Sequence, residues 1–421
     1  MSHATTKPLP CSAQRLAAIA DEVPTPFYLY DEQGIRAAAR ALLAAFAWAP
    51  HYTQYFAVKA TPTPRILQIL REEGSGADCS SLPELRLAER TGFVGEQICF
   101  TSNNTPADEF AAAHALGAII NLDDVGHLAF VQRHVGLPDL VSFRYNPGQL
   151  ATGNAIIGQP ERSKFGVTKA QLFEGYRMAQ AQGVRRFGLH AMLVSNEREI
   201  ANLVATARLL FELAAEIAQR LKIQLEFINI GGGIGIPYHP DEPPVDLAAL
   251  GDGIRRAYDE TLGHLPPIAL FTECGRAITG PHGYLVTRVR HVKATYRHYA
   301  GVDATMADLM RPALYDAYHH ISVVGREQEA ADRRYDVTGS LCENNDKFAV
   351  DRALPRLERG DLLVIHDAGA HGRAMGFNYN GKLRPAELLL RPNGDLTLIR
   401  RAETLADYFA TLDVEADFAR G

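Results

Sequence analysis

Eight short apolar runs, most of them separated by helical stretches, constrain this 421-residue chain more than any other feature. They are Gln54–Lys59, Ala77–Ser81, Ile98–Ser102, Ala118–Asp123, Leu140–Asn146, Phe187–Val194, Leu225–Gly231 and Ile268–Cys274. The clearest intervening helix is expected over Glu199–Leu221. There Ile200, Leu203, Ala207, Leu210, Ala214, Ile217 and Leu221 recur at spacings of three and four and build one apolar stripe. Further helices are expected at Thr63–Glu73, Pro83–Thr91, Pro106–Leu116 and Lys169–Gln182. Eight strands alternating with helices imply a (β/α)8 barrel. A doubly wound sheet competes, but it leaves the later strands hard to place.

The texture changes after about Pro281. Strand-like runs then follow one another without long helices: Tyr284–Ala294, His319–Val324, Tyr335–Leu341, Asp361–His366, Ala386–Leu390 and Asp395–Arg401. This reads as a second, mostly β domain. The run Pro26–Tyr30 is expected to pair with it before the chain enters the barrel. The expected division is therefore a barrel over 33–283 and a β domain over 284–421, joined by the N-terminal segment 1–32. Residues Val414–Gly421 carry no strong signal.

Composition narrows the function. Lys+Arg number 43 against 49 Asp+Glu, a net charge of −6, which argues against a nucleic-acid partner. The five cysteines (Cys11, Cys79, Cys99, Cys274, Cys342) are odd in number, widely spaced and without a CxxC pair. Neither a disulfide framework nor a metal site is expected from them. No signal-peptide h-region and no membrane-length apolar run is visible, so a cytoplasmic location is expected.

In a barrel of this kind the chemistry sits at the C-terminal ends of the strands. Those ends carry Lys59, Ser80-Ser81, Asn103-Asn104, Arg144 and Asn146, His190 leading to Ser195, the turn Gly231-Gly232-Gly233, and Glu273-Cys274-Gly275-Arg276. An amine, a glycine turn and a carboxylate on one rim suit pyridoxal phosphate. That cofactor needs an amine for its aldehyde, backbone N–H groups for its phosphate and an acid for its ring nitrogen. Taken singly, each has an ordinary explanation. Lys59 reads as a snorkelling surface lysine, the glycines as a tight turn, and Glu273 with Arg276 as a structural ion pair. Cys342 alone reads as a small buried hydrophobe. The combination carries the functional reading.

At these positions the chain resembles the fold type III, alanine-racemase-like decarboxylases, and within them the diaminopimelate decarboxylases. The matching segments are Phe56–Ala60, Gly76–Leu85, Ser163–Gly166, Gly231–Tyr238, Glu273–Arg276, Leu309–His320 (LMRPALYDAYHH), Gly339–Asp346 (GSLCENND) and Asp367–Glu387. The resemblance implies that Lys59 holds pyridoxal 5'-phosphate as a Schiff base. Gly233 and its neighbours, with the Glu273–Arg276 turn that contains Gly275, would hold the phosphate. Glu273 would also pair with the ring nitrogen, and His190, Ser195 and His371 would contribute to the cofactor site. Arg276, Arg311, Tyr315 and Glu343 would contact the substrate, and Cys342 would donate the proton. The resemblance also implies a homodimer in which Cys342 and Glu343 reach the partner's site. Two substrate-facing arginines suit a distal carboxylate, which favours meso-2,6-diaminopimelate, decarboxylated to L-lysine and CO2 in the last step of lysine biosynthesis, over simple diamino acids.

Three positions depart from the family pattern. Met192 stands where a second histidine normally stacks on the cofactor ring, Cys274 replaces a proline, and His371 replaces a tyrosine. A thioether can pack on the ring, and His190, two residues away on the same strand face, is an alternative. These changes keep open a related decarboxylase acting on D-ornithine, D-lysine or a carboxylated polyamine. A carrier would lack the β domain, and a dead paralogue would have lost Lys59 or Cys342. Racemisation would call for a second acid/base on the opposite ring face, and none is assignable.

Overall fold

The computed structural model describes residues 6–150 and 159–412, so the C-terminal residues without a signal lie outside them. The chain forms two compact units. One comprises Gln33–Pro237 and Glu242–Pro281; the other takes the residues up to Glu32, Tyr238–Asp241, and those from His282 onward. Strand β1 (Phe27–Asp31) belongs to the second unit.

The first unit is a closed barrel of eight parallel strands: β2 (Tyr52–Ala57), β3 (Gly76–Cys79), β4 (Ile98–Ser102), β5 (Ile119–Leu122), β6 (Leu140–Arg144), β7 (Arg186–His190), β8 (Phe227–Asn229) and β9 (Ala269–Thr272). All eight fall on the expected apolar runs, each ending at or before the expected residue. The five expected helices form as well, among them Ile200–Leu221, which buries Leu203, Ala207, Leu210, Ala214 and Ile217. Thr168 starts the helix Lys169–Ala181 with a capping box closed by Gln171. Helices at Glu32–Ala45, Gly126–His134 and Leu247–Leu262 are additional to the expected set.

The barrel interior is divided along its axis. Its floor is aromatic, with the Tyr55 and Phe271 rings 5.1 Å apart and Phe227 and Phe271 stacked at 4.6 Å. A Cβ on Gly188 would come 2.1 Å from the Phe227 ring, so the small residue makes room for the large one. Toward the C-terminal ends the interior turns polar, with Asp78, His190 and Asn229 all buried, while Gln54 and Thr272, chain neighbours of the inward Tyr55 and Phe271, are buried on the opposite, helix-facing side of their strands. The seam between β2 and β9 is held by Gln54, which lies in register with Thr272. Its Oε1 accepts from Thr272 Oγ1 and from the Cys274 N–H, and its Nε2 donates to the Cys274 carbonyl at 2.7 Å. This buried amide brackets Glu273 from both sides along the chain.

The second unit is a mixed sheet. β1 lies between β10 (Gly283–Ala294), antiparallel to it, and β16 (Ala386–Leu390), parallel to it. Pro26–Tyr30 thus joins this sheet as expected. β11 (His298–Val302), β12 (Ile321–Val323), β13 (Arg333–Thr338), β14 (Lys347–Leu354), β15 (Leu362–Ile365) and β17 (Leu396–Arg400) complete it among the described residues. β11 and β14 are additional to the expected strands. The N-terminal helix Ala13–Glu22 packs Leu16 and Ile19 onto Phe27, Leu29, Val286, Val364 and Leu388.

Candidate active site

Lys59 leaves the end of β2 in a single 3-10 turn, Val58–Ala60. Its flanking residues Val58 and Ala60 are buried, which turns the lysine the other way, and its side chain remains 51% exposed. Its Nζ lies 3.2 Å from Oδ2 of Asp78 on the neighbouring strand β3. The Asp78 charge outweighs burial and raises the Lys59 amine above its ordinary value, with Glu273 contributing. Burial, followed by the Glu273 charge, raises the Asp78 carboxyl; Lys59 opposes both. Asp78 Oδ1 is buried without a hydrogen-bond partner among the described residues.

Glu273 follows directly on β9 and is buried. Burial alone would raise its carboxyl. The charge and hydrogen bond of His190, with Lys59 and Asn229, outweigh burial and hold it low. Asn229 Nδ2 donates to Oε1 at 2.7 Å, and His190 Nε2 lies 3.1 Å from Oε2. His190 is therefore packed beneath the acid, with 1% of its surface exposed. Met192 takes another direction: its Sδ accepts from the Gly232 N–H at 3.2 Å.

The turn after β8 needs glycine for two reasons. Gly231 and Gly233 have φ of +74° and +97°, a region that side chains disfavour. A Cβ at Gly233 would lie 2.3 Å from the Val194 carbonyl oxygen, immediately before Ser195. At Gly232 it would lie 2.3 Å from the carbonyl oxygen of Glu273. Gly275 in turn packs on Ala60, the residue after Lys59, and Arg276 is buried at the start of the short helix Arg276–Thr279. Lysine, acid and glycine turn thus share one end of the barrel. Arg144 joins them from β6, 3.6 Å from Asp123, with its guanidinium 4.2 Å from the Phe165 ring centre of the Ser163–Gly166 segment.

The remaining site residues of the sequence reading lie in the β unit. Arg311 opens the short helix Arg311–Tyr315 and is buried, while Tyr315 at its end is 40% exposed. The Arg311 guanidinium sits 4.5 Å over the ring of Tyr238, and its Nη1 is 2.7 Å from His319 Nε2. Cys342 and Glu343 are exposed on a loop. The Cys342 N–H donates to Asn380 Oδ1 at 2.7 Å, and buried Asp346 accepts from the Leu341 and Met306 N–H groups. His371 occupies a left-handed conformation (φ +56°) in the turn after Asp367.

The sequence reading assigned no role to Asp78, Asn229 or His319. A signal existed for Asp78. An acid inside the apolar run Gly76–Cys79 demands a buried partner. His319 carried no comparable signal, because its partners lie on Arg311 and on a strand end far along the chain.

Residues 32–280 match the family described as "Pyridoxal-dependent decarboxylase, pyridoxal binding domain". The chain is 47% identical over 400 residues to "Protein TabA" of Pseudomonas amygdali pv. tabaci, covering 94% of each chain. It is 37% identical over 403 residues to a diaminopimelate decarboxylase of Methanothermobacter thermautotrophicus, again covering 94% of each. Its structure is similar to that of the Helicobacter pylori diaminopimelate decarboxylase complexed with L-lysine. The TM-score is 0.86 at 29% identity, covering 94% of this chain and 98% of the other.

Proposed function

This chain belongs to the pyridoxal-dependent decarboxylases, and we propose that within them it removes one carboxylate from meso-2,6-diaminopimelate to give L-lysine and CO2. When bound, pyridoxal phosphate supplies an electron sink for the bond that breaks. The residues at the barrel end fit that group. Lys59 offers an amine at the mouth, and Glu273 is held anionic against burial to face a protonated ring nitrogen. Gly231–Gly233 form a tight turn whose backbone packs against the Ala191, Val194 and Glu273 carbonyls, a turn able to offer backbone N–H groups to a phosphate. Gly275 and Arg276 flank the same end, with Ser195 beside the glycine turn.

The observation that carries the substrate reading is the buried Arg311 guanidinium, held on Tyr238 and His319. A fixed fork of N–H donors suits a distal carboxylate. Glu343 supplies the opposite charge for a distal ammonium. Cys342, exposed beside it, would return a proton to Cα. Both stand exposed on their own unit, which supports a homodimer whose partner site receives them. CO2 and L-lysine should appear from meso-diaminopimelate with the holoenzyme; their absence at saturating substrate rejects the proposal.

One observation favours a second reading. Identity to Protein TabA, 47%, exceeds that to the Methanothermobacter diaminopimelate decarboxylase, 37%, and Met192 binds the glycine turn where a histidine is usual. A decarboxylase acting on a D-amino acid such as D-ornithine or D-lysine, or on a carboxylated polyamine, fits this departure. Ranking kcat/KM over these amines and diaminopimelate in one panel decides between the readings.

A further inference from the structure

We propose that His319 is a positioning residue for Arg311, locking its guanidinium through one imidazole tautomer so that it presents a fixed fork to the substrate's distal carboxylate. This rests on the reading of Arg311 as a substrate-binding residue.

The tautomer follows from what each partner can do. A guanidinium only donates and a carbonyl oxygen only accepts. Arg311 Nη1 lies 2.7 Å from His319 Nε2, so Nε2 carries the lone pair. His319 Nδ1 lies 2.8 Å from the His366 carbonyl oxygen, so Nδ1 carries the proton. The ring is thereby a neutral relay between the end of β15 and the arginine. A proton on Nε2 would turn one N–H against another. His319 is fully buried, and its ring meets the edge of Tyr238 at 5.1 Å. Tyr238 also lies beneath the Arg311 guanidinium, at 4.5 Å. Tyr238 under one face and His319 at one edge thus restrict how the guanidinium can turn. Discrimination follows. A site built to bond a distal carboxylate rejects analogues that lack it only while the donor cannot swing away.

A merely structural histidine would need only the bond to the His366 carbonyl. Two substitutions separate the roles. His319→Asn places an amide where Nδ1 stands and keeps that bond, but does not reach Arg311. His319→Gln reaches the Nε2 position and presents an oxygen acceptor to the arginine. Both variants and the wild type are assayed as holoenzymes on meso-diaminopimelate and on a diamino monocarboxylate of the same length.

In His319→Asn, KM for the dicarboxylate should rise about 10-fold or more, with kcat within about threefold, since a hydrogen bond to a charged group is lost. Preference for the dicarboxylate should fall by the same factor, and His319→Gln should recover most of it. An unchanged preference in His319→Asn, or equal losses in both variants, would overturn the proposal. A second reading needs no substrate: 15N spectra of histidine-labelled protein at neutral pH should show His319 protonated on Nδ1 alone. An Nε2–H or doubly protonated ring overturns the proposal as well. If the wild type turns over no dicarboxylic diamino acid, the functional reading fails, and the nitrogen spectrum alone decides the Arg311–His319 arrangement.

Discussion

Lys59 and Asp78, nineteen residues apart in the chain, meet at 3.2 Å across adjacent barrel strands, the amine half exposed and the carboxylate sealed beneath it. The pair holds its charge asymmetrically. Asp78 raises the basicity of Lys59, while burial works on Asp78 itself.

Removing that charge should change how the lysine captures an aldehyde. In Asp78→Asn the amine becomes less basic and is neutral at lower pH. The midpoint pH for forming the coloured lysine–cofactor adduct should fall by about one unit or more. Absorbance titration of reconstituted protein measures it. Lys59→Ala should show neither the adduct band nor turnover, and a variant retaining both would refute the assignment of Lys59.

Glu273→Gln keeps the shape of the acid and an acceptor for Asn229 but loses the charge that His190, Lys59 and Asn229 hold in place. Turnover should drop by about 100-fold or more, the scale of a misplaced proton in catalysis. The circular dichroism spectrum should stay that of the wild type. Steady-state kcat is the measurement, and a drop below tenfold would remove Glu273 from the ring-nitrogen role.

Gly233→Ala combines a φ of +97° with a Cβ placed 2.3 Å from the Val194 carbonyl oxygen. Strain of this kind costs about 1–3 kcal/mol. The variant should melt lower than the wild type and bind pyridoxal phosphate more weakly. Thermal melts with and without cofactor test both expectations.

Asp308 gives a pH signature in the β unit. Burial raises its carboxyl to about 7, against hydrogen bonds from the Thr305 N–H and hydroxyl. An unfolded aspartate titrates near about 3.9. The folded state therefore holds more protons between about pH 4 and 7. The contribution of Asp308 is complete below that window and is lost as pH rises through the folded value. Its slope is at most about 1.4 kcal/mol per pH unit. His320 and His366, both lowered by burial, push the other way as pH falls. The test is therefore the stability of wild type minus Asp308→Asn, which should decline from pH 4 to 7 and then level. A flat difference would rule out the shift.

Much of the fold was legible because the barrel strands are fully buried and read as uninterrupted apolar runs. Other elements were hidden by local chemistry. The helix Leu247–Leu262 contains Gly251 and Gly253, which lower helix propensity. A Cβ on Gly251 would come 2.1 Å from the Ala45 carbonyl oxygen, so close packing demands the residue that masks the helix. In β14 the alternation is broken by Asp351, at φ +52°. The site was legible in its ends, Lys59 and Glu273, because strand termini can be read from sequence. Its pairings were not, since His190 reaches Glu273 only after distant strands are in register, and His319 is held against nearby Arg311 by a bond to the distant His366 carbonyl.

The seam closed by Gln54 has a consequence for biogenesis. Lys59 follows the first barrel strand to leave the ribosome and Glu273 follows the last, so the two residues proposed to anchor the cofactor first meet when the ring shuts across β2 and β9. Cofactor capture is thereby tied to a finished barrel, and a nascent or truncated chain lacking β9 should stay colourless. The yellow of the loaded protein would then serve as a proofreading mark of complete synthesis.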